Sequence, residues 1–563
     1  MRACLWLSLA LGAVGACRTP RPEAVTSAAP LPAPPPPPPR PSDPLVVTLV
    51  IDQFAAWTAA ERLPLLPPDG GFARLRREGT WYRQLRYAHA ATDTAPGHSS
   101  LYTARPPRDS GILANELPDG RGGRVSILRD EAVRVVTFEG VTETAGSSIA
   151  RLRVPTLADR LREARPDAVI VSVSLKDRGA IFGGGRRPDA TLWFDPGRDS
   201  FVTSTGFSQA LPPWAREHGA PDAVRALRST PWTLLDEAFV RAHARGPDAQ
   251  PGEGDLDGWG TTFPHDFTRA RRPGGALRAS PRGDLAVLSL AGDAVEHARV
   301  RGRPMLLAVS LSSNDYIGHV FGPDSWEAWD QLRHLDRALG SFFQRLDSLV
   351  GEGGWSVVLS ADHGIVGMPE LAGGASPWCG DGGRDPWERP CGAGGRLDPD
   401  EVGRSLQAAA VAALGPGEWV LGVADPYVYV TPAAEALAPE RRERLQAALR
   451  DRARAYVDVE RVVDARTVPD RCAEDETPEA LLCRSIPARS GAVLYLQARA
   501  GVFFDAGYTL GQGTSHGSPY LFDRAVPLLV RDPGREPAGR VVEEPQPFTR
   551  YRALAERFLG IEP

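Results

Sequence analysis

Pro44-Leu-Val-Val-Thr-Leu-Val-Ile-Asp52 is the stretch on which the fold turns. It is an apolar, β-branched run closed by an acid, the pattern of a strand buried on both faces with a functional residue at its C-terminal edge. Similar units recur at Ala168 to Ser174, Met305 to Ser310, Trp355 to Ser360 and Ala525 to Val530. Helical patterns lie between them, as in Ser325 to Leu349, whose apolar residues fall at three-to-four spacing. This alternation predicts an α/β fold, a three-layer sandwich with a mostly parallel central sheet and helices on both faces. Ligands of such sheets bind beyond the carboxyl ends of the strands. Residues 200–290, rich in Gly, Pro, Arg and Trp, read as an insertion over the sheet, and 370–400 as a Gly-rich stapled loop. The stretch 418–500 reads as strand, helix and strand (Tyr427 to Val430, Glu440 to Tyr456, Ala492 to Gln497), a small α+β insertion. Because the last core strand follows it, residues 45–563 are expected to form one domain interrupted near 200–290 and 370–500.

Outward from that strand, the N-terminal side has its own logic. Arg2 precedes an apolar run, Leu5 to Val14, too short to span a bilayer as a mature helix. The run ends Val14-Gly-Ala-Cys17, which resembles a lipoprotein cleavage site and predicts a signal peptide over 1–17 with Cys17 as a lipid anchor. Residues 18–44 are Pro-rich, with Pro34 to Pro39 unbroken, and read as a tether unable to pack a core. An exported protein, periplasmic or at the outer surface, is expected. The remaining cysteines suggest disulfides Cys379–Cys391 and Cys472–Cys483, although four cysteines allow three pairings. A net charge of -5 leaves no electrostatic footprint for nucleic acid.

Of 65 basic residues, Lys176 is the one lysine, and Asn115 and Asn314 are the only asparagines. Residue types this scarce persist where their common replacements do not serve, and all three fall in polar clusters beside apolar runs. Lys176-Asp-Arg178 follows a strand; if extended, it points both cations to one side, suited to the two charges of a phosphate monoester. Asp315-x-x-x-His319 places two ligand types on one face of a helical turn. Asp52, Asp362-His363 and His516 add further aspartate and histidine at strand ends. Mixed histidine and aspartate donors suit zinc, and two such clusters suit paired-metal phosphoryl transfer. In Thr92-Asp-Thr-Ala-Pro-Gly-His-Ser-Ser100, Pro96 suits a first helical turn, which sets Thr94 at or near the N-cap. There the helix dipole favours an alkoxide. His98 is a borderline candidate for its nearness to Thr94.

Together these residues resemble the alkaline phosphatase superfamily, and within it the phosphate-irrepressible group that uses threonine and the related nucleotide pyrophosphatase/phosphodiesterases. The resemblance covers most of residues 45–535. It rests on Val50-Ile-Asp-Gln-Phe54, Thr94-Ala-Pro-Gly-His98, Gly111-Ile-Leu-Ala-Asn115, Ser174-Leu-Lys-Asp-Arg-Gly-Ala180, Asn314-Asp-Tyr-Ile-Gly-His319, Ser360-Ala-Asp-His-Gly364 and His516. It implies two zinc ions, one held by Asp315, His319 and His516, the other by Asp52, Asp362 and His363 with Thr94. It further implies that Thr94 attacks phosphorus in line to give a phosphothreonine, while Asn115, Lys176 and Arg178 hold the non-bridging oxygens. Small phosphate monoesters are the expected substrates, and a monomer the expected state. A phosphodiesterase or nucleotide pyrophosphatase would want an apolar pocket for the second ester group and no lysine–arginine clamp. A sulfatase would need Cys or Ser in C/S-x-P-x-R, which Thr94-Ala-Pro-Gly-His98 does not offer. An inactive phosphate-binding lipoprotein would have lost a ligand, and none of the six is missing.

Overall fold

The Leu45–Ile51 strand is buried at every residue and lies inside a 12-stranded sheet. It belongs to a computed structural model that describes residues 43–120, 123–298, 302–371, 385–392, 394–424, 426–487, 491–505 and 511–561. The expected signal peptide with Cys17, the tether as far as residue 42, and Cys379 lie outside the described residues. Leu45–Ile51 pairs in parallel with Met305–Leu311 on one side and Trp355–Ser360 on the other. Val169–Ser174 and then Ala190–Asp195 extend this parallel block. All these strands are buried along nearly their whole length, which requires cover on both faces.

Outside the block the direction reverses. Ala525–Arg531 runs antiparallel to Trp355–Ser360 and to Thr80–Arg86, and Ser200–Ser204 antiparallel to Ala190–Asp195. The sequence pattern classed 525–530 with the parallel units. A run buried on both faces carries no periodicity that reports its direction, so the antiparallel pairing is invisible in it. The reversal matters for the site: this strand starts at the edge where Trp355–Ser360 ends, so the loop bearing His516 enters at that edge.

Two groups of helices cover the sheet. Thr94–Thr103, Asp177–Gly184 and Thr549–Leu559 pack in one set, and Gly71–Glu78, Pro281–Ala298 and Trp326–Val350 in the other. Trp326–Val350 starts where its capping residue predicts, with Ser325 accepting from the Ala328 N–H, and it buries the stripe Leu332, Leu335, Leu339, Phe342, Phe343 and Leu346.

The insertions differ from expectation at their borders. Ser200–Ser204 is a fully buried strand of the main sheet, and Pro281–Ala298 is one of its covering helices, so only the stretch between them lies outside the sheet layers. A strand reading Ser-Phe-Val-Thr-Ser is too short and polar to register as core. The α+β insertion begins at the Pro399–Leu414 helix rather than at 418. That helix and Pro439–Arg454 pack on an antiparallel sheet ordered Val420–Ala424, Tyr427–Val430, Ala492–Ala498 and Val459–Asp464, with an apolar core of its own around Leu406, Leu449 and Leu494. Cys472 and Cys483 are disulfide-bonded. Cys391 is also disulfide-bonded, its expected partner Cys379 being outside the described residues. Among the described residues no helix is long and apolar enough to cross a membrane.

Candidate active site

Strand ends deliver the carboxylates. Asp52 directly follows the Leu45–Ile51 strand and is fully buried. Asp362 and His363 follow Trp355–Ser360, also fully buried. Asp315 and His319 lie one turn apart on the Ser313–Phe321 helix, as their spacing predicts, with His319 Nε2 3.2 Å from Asp315 Oδ1. His516 brings its Nε2 to 3.8 Å from the same oxygen. Ligand atoms of Asp315, His319 and His516 all lie within 4.8 Å of one another, and so do those of Asp52, Asp315 and His363. The first set is the one expected. In the second, Asp315 stands where Asp362 was expected. Asp362 spends Oδ1 on the N–H groups of Gln53 (3.1 Å) and His363 (3.0 Å), while its Oδ2 lies 3.0 Å from His98 Nδ1 and 3.5 Å from His363 Nε2.

The residues present fit divalent cations. Each of the three histidines turns Nδ1 to a backbone carbonyl: His319 to Thr514 (2.8 Å), His516 to Thr92 (2.9 Å) and His363 to Gly364 (2.9 Å). A carbonyl can only accept, so these Nδ1 atoms carry protons and the Nε2 atoms face the carboxylates as donors to a cation. Neither carboxylate oxygen of Asp52 receives a well-directed hydrogen bond, although Lys176 Nζ approaches Oδ2 to 2.6 Å.

The cluster is organised around positive charge. Burial and Asp315 push the Asp52 carboxyl up, yet Lys176 and His363 outweigh them and hold it below the aspartate range. Burial also opposes ionisation of Asp315, and Lys176 and His319 overcome it. Asp362 is raised by burial and by the charge of Asp52. Burial disfavours the His363 imidazolium, but Asp362, Asp52 and Asp315 push it up to about 10. His516, buried beside His363 and His319, is lowered.

Thr94 is the first residue of the Thr94–Thr103 helix, after Asp93 at the N-cap, and is 1% exposed. Its Oγ1 lies 3.4 Å from His363 Nε2 and accepts from Lys176 Nζ at 3.3 Å. Lys176 Nζ is also 2.5 Å from Asp315 Oδ2, so the chain's one lysine bridges both carboxylate sets and the threonine. The Lys176–Arg178 segment is extended only at Lys176, which occupies the N-cap position of the Asp177–Gly184 helix, and Arg178 lies in its first turn. Asp177 in that turn favours helix over continued strand, and both cations still line the cavity. That cavity, about 280 Å³, is lined by Thr94, Asn115, Lys176, Arg178, His319 and His516 among others. Asp52, Asp362 and His363 lie buried beneath it.

Sequence reasoning missed the residues that hold these in place. Asp93 accepts from the Asn115 side chain (2.9 Å) and backbone (3.2 Å), while Asn115 Oδ1 accepts from the Ala95 N–H at 2.8 Å. The two contacts that involve the side chain, with Asp93 and Ala95, fix the orientation of the Asn115 amide. His98, the borderline case, braces Thr94 instead of facing the cavity, with Nδ1 donating to the Thr94 carbonyl at 2.9 Å and Nε2 2.8 Å from Ser310 Oγ. At Gly97 a Cβ would stand 2.2 Å from the Asp362 carbonyl oxygen, so only glycine lets the helix approach that turn. The place of Gly97 three residues after Thr94 is the available signal.

Asp284 anchors the helix that carries Asp315 and His319. Its Oδ1 accepts from the Ser313 N–H (3.0 Å), and Gln331 donates to Oδ2 (2.9 Å). Burial pushes its carboxyl up from 3.8 to about 7 against the hydrogen bonds of Ser313 and Gln331. An unfolded chain ionises this acid above about pH 4, whereas the folded chain keeps the proton until about 7. Stability is therefore lost as pH rises through that window, by on the order of 3 kcal/mol. Asp284→Asn should flatten this slope in thermal unfolding between pH 4 and 7. Identical slopes in variant and wild type would contradict the assignment.

Fold and site together define an α/β protein of the alkaline phosphatase superfamily. Residues 46–519 match the family model for type I phosphodiesterase / nucleotide pyrophosphatase, and the chain belongs to that family. It is similar to the alkaline phosphatase PhoV of Synechococcus elongatus, 36% identical over 334 residues, which are 58% of this chain and 60% of that one. It is also similar to the alkaline phosphatase PafA of Elizabethkingia meningoseptica, 34% identical over 338 residues, again 58% and 60% of the two chains. The matched segment thus spans about 60% of the length of these curated relatives. The crystal structure of wild-type alkaline phosphatase PafA superposes with a TM-score of 0.80 at 25% identity, covering 93% of this chain and 96% of that one.

Proposed function

We propose that this chain is an exported, metal-dependent phosphatase that hydrolyses phosphate monoesters through a phosphothreonine at Thr94. The observation that carries the reading is the placing of Lys176, with Nζ 3.3 Å from Thr94 Oγ1, in a cavity that Arg178 also lines. Thr94, at a helix N-terminus, attacks the phosphorus and takes the phosphoryl group, and the alcohol leaves. Water then returns Thr94 and releases phosphate. Lys176 and Arg178 meet the charge on the non-bridging oxygens, and Asn115, its amide set by Asp93 and Ala95, donates its free N–H to a third. Asp315, His319 and His516 would hold one divalent cation, and Asp52 and His363, with Asp315 shared and only Oδ2 of Asp362 left to contribute, the other; zinc suits this donor set. Such cations supply positive charge against the negative charge that develops in phosphoryl transfer.

The similar alkaline phosphatases support the monoester reading. Membership of the type I phosphodiesterase / nucleotide pyrophosphatase family favours a second one, diester hydrolysis, and the lysine–arginine pair weighs against it, because two fixed cations serve a dianionic group better than a monoanionic one. The Cys472–Cys483 disulfide fits an oxidising compartment, and we extend the proposal to a lipid anchor at Cys17 and to a monomer. Zinc-loaded protein should hydrolyse an aryl phosphate, lose the activity on chelation and regain it on adding zinc. Hydrolysis that survives complete chelation would contradict the metal-dependent reading.

A further inference from the structure

Asp52 and Asp315 come from different elements, the end of the first strand and the Ser313–Phe321 helix. Three buried carboxylates, these two and Asp362, converge where neighbouring strands end, with the Lys176 ammonium between the Asp52 and Asp315 side chains. Beyond the strand pairing and that ammonium, a pair of neutral amides from the residues next to the ligands links them. Asn314, immediately before Asp315, donates from Nδ2 to the backbone carbonyl of Asp52 at 2.9 Å. Gln53, immediately after Asp52, donates from Nε2 to Asp315 Oδ1 at 3.0 Å and from its backbone N–H to Asp362 Oδ1 at 3.1 Å. Each contact runs from the neighbour of one ligand to the other ligand's residue or side chain, so the arrangement is reciprocal.

Two further features mark Gln53 as built for this place. Its φ is 65°, the left-handed region that side-chain-bearing residues rarely adopt, and it is 2% exposed. That turn presents the backbone N–H to one carboxylate and the side-chain amide to another. The helix opposite it makes room: a Cβ on Gly318 would stand 1.9 Å from Gln53 Oε1. Any larger residue at 318 pushes the amide off Asp315.

We propose that Gln53 and Asn314 form a reciprocal amide lock, admitted by Gly318, that sets the separation of the two cation sets. The proposal rests on the two-cation reading given above. Gln53 and Asn314 are positioning residues: they hold the carboxylates at a fixed spacing without adding charge that would compete with the cations.

The test titrates the chelator-stripped full chain with Zn²⁺ in competition with a chromophoric chelator. It also records the electron paramagnetic resonance of the Co²⁺-loaded protein, whose spin coupling reports the distance between paired ions. The variants are Gln53→Met and Asn314→Leu, which keep bulk and remove the donors, and Gly318→Ala, which displaces the Gln53 amide from the other side. The wild type should bind two ions. Each variant should weaken the second ion by about tenfold or more and reduce the Co²⁺ coupling, while the stripped chain still unfolds in one cooperative transition. Because Gln53→Met and Gly318→Ala act on one contact, the double variant should be no worse than Gln53→Met alone. Variants that bind two ions with wild-type affinity and coupling overturn the lock and leave the proposed function standing. A wild type that takes up fewer than two ions overturns the two-cation reading before any variant is made, and the lock with it. Should one variant fail to fold, the other two decide between these results.

Discussion

Thr94→Ala is expected to lower kcat/KM for an aryl phosphate monoester by about a thousandfold or more. Thr94 Oγ1 is the buried hydroxyl that sits at once at a helix start, 3.3 Å from Lys176 Nζ and 3.4 Å from His363 Nε2. Nothing else in alanine can take its place as nucleophile. The loss cannot be blamed on the helix, because Asp93 rather than Thr94 occupies the N-cap, and alanine is a good helix former. Thr94→Ser keeps the hydroxyl and should retain most of the activity. Steady-state kinetics on the three proteins, beside their unfolding curves, make the comparison. A Thr94→Ala enzyme within tenfold of wild type would remove threonine from the mechanism.

Lys176→Ala should cost about a hundredfold on a monoester and far less on a matched diester. The ammonium is buried between Asp52 Oδ2 at 2.6 Å and Asp315 Oδ2 at 2.5 Å, and reaches Thr94. Its charge would balance the second negative charge of a monoester, which a diester lacks. Removing it also leaves two buried carboxylates short of a partner, so stability should fall as well. The diester separates the two effects, since a chain that is merely less folded loses both activities in proportion. Lys176→Arg should not restore the monoester rate, because the planar guanidinium does not fit the position of a compact ammonium. Equal losses on both esters would show that Lys176 serves the fold rather than the substrate.

Much of the site was legible because scarce residue types and fixed spacings survive without a structure. Asp315 and His319 had to share a helical face if the segment was helical, and it is. The scarcity of lysine pointed to Lys176, and that of asparagine to Asn115 and Asn314. Less visible was anything set by chain direction or by approach between distant segments. The antiparallel course of Ala525–Arg531 leaves no mark in a strand buried on both faces. Asp315 shared between the two ligand sets, with Asp362 tied up by N–H groups, depends on contacts across more than one element. The helical turn at Asp177 replaced an extended segment because a local acid at a helix start outweighed the reading of a continued strand. Gln53 is the sharpest example: its left-handed backbone and the glycine that admits it lie far apart in sequence.

The most direct test of the account compares kcat/KM for an aryl phosphate monoester and for the corresponding methyl aryl diester, in zinc-loaded protein lacking residues 1–43. The monoester should be preferred by about a hundredfold or more, since Lys176 and Arg178 are placed for a dianion. A diester hydrolysed as fast as the monoester, or faster, would contradict it and assign the chain to the phosphodiesterase branch of its family.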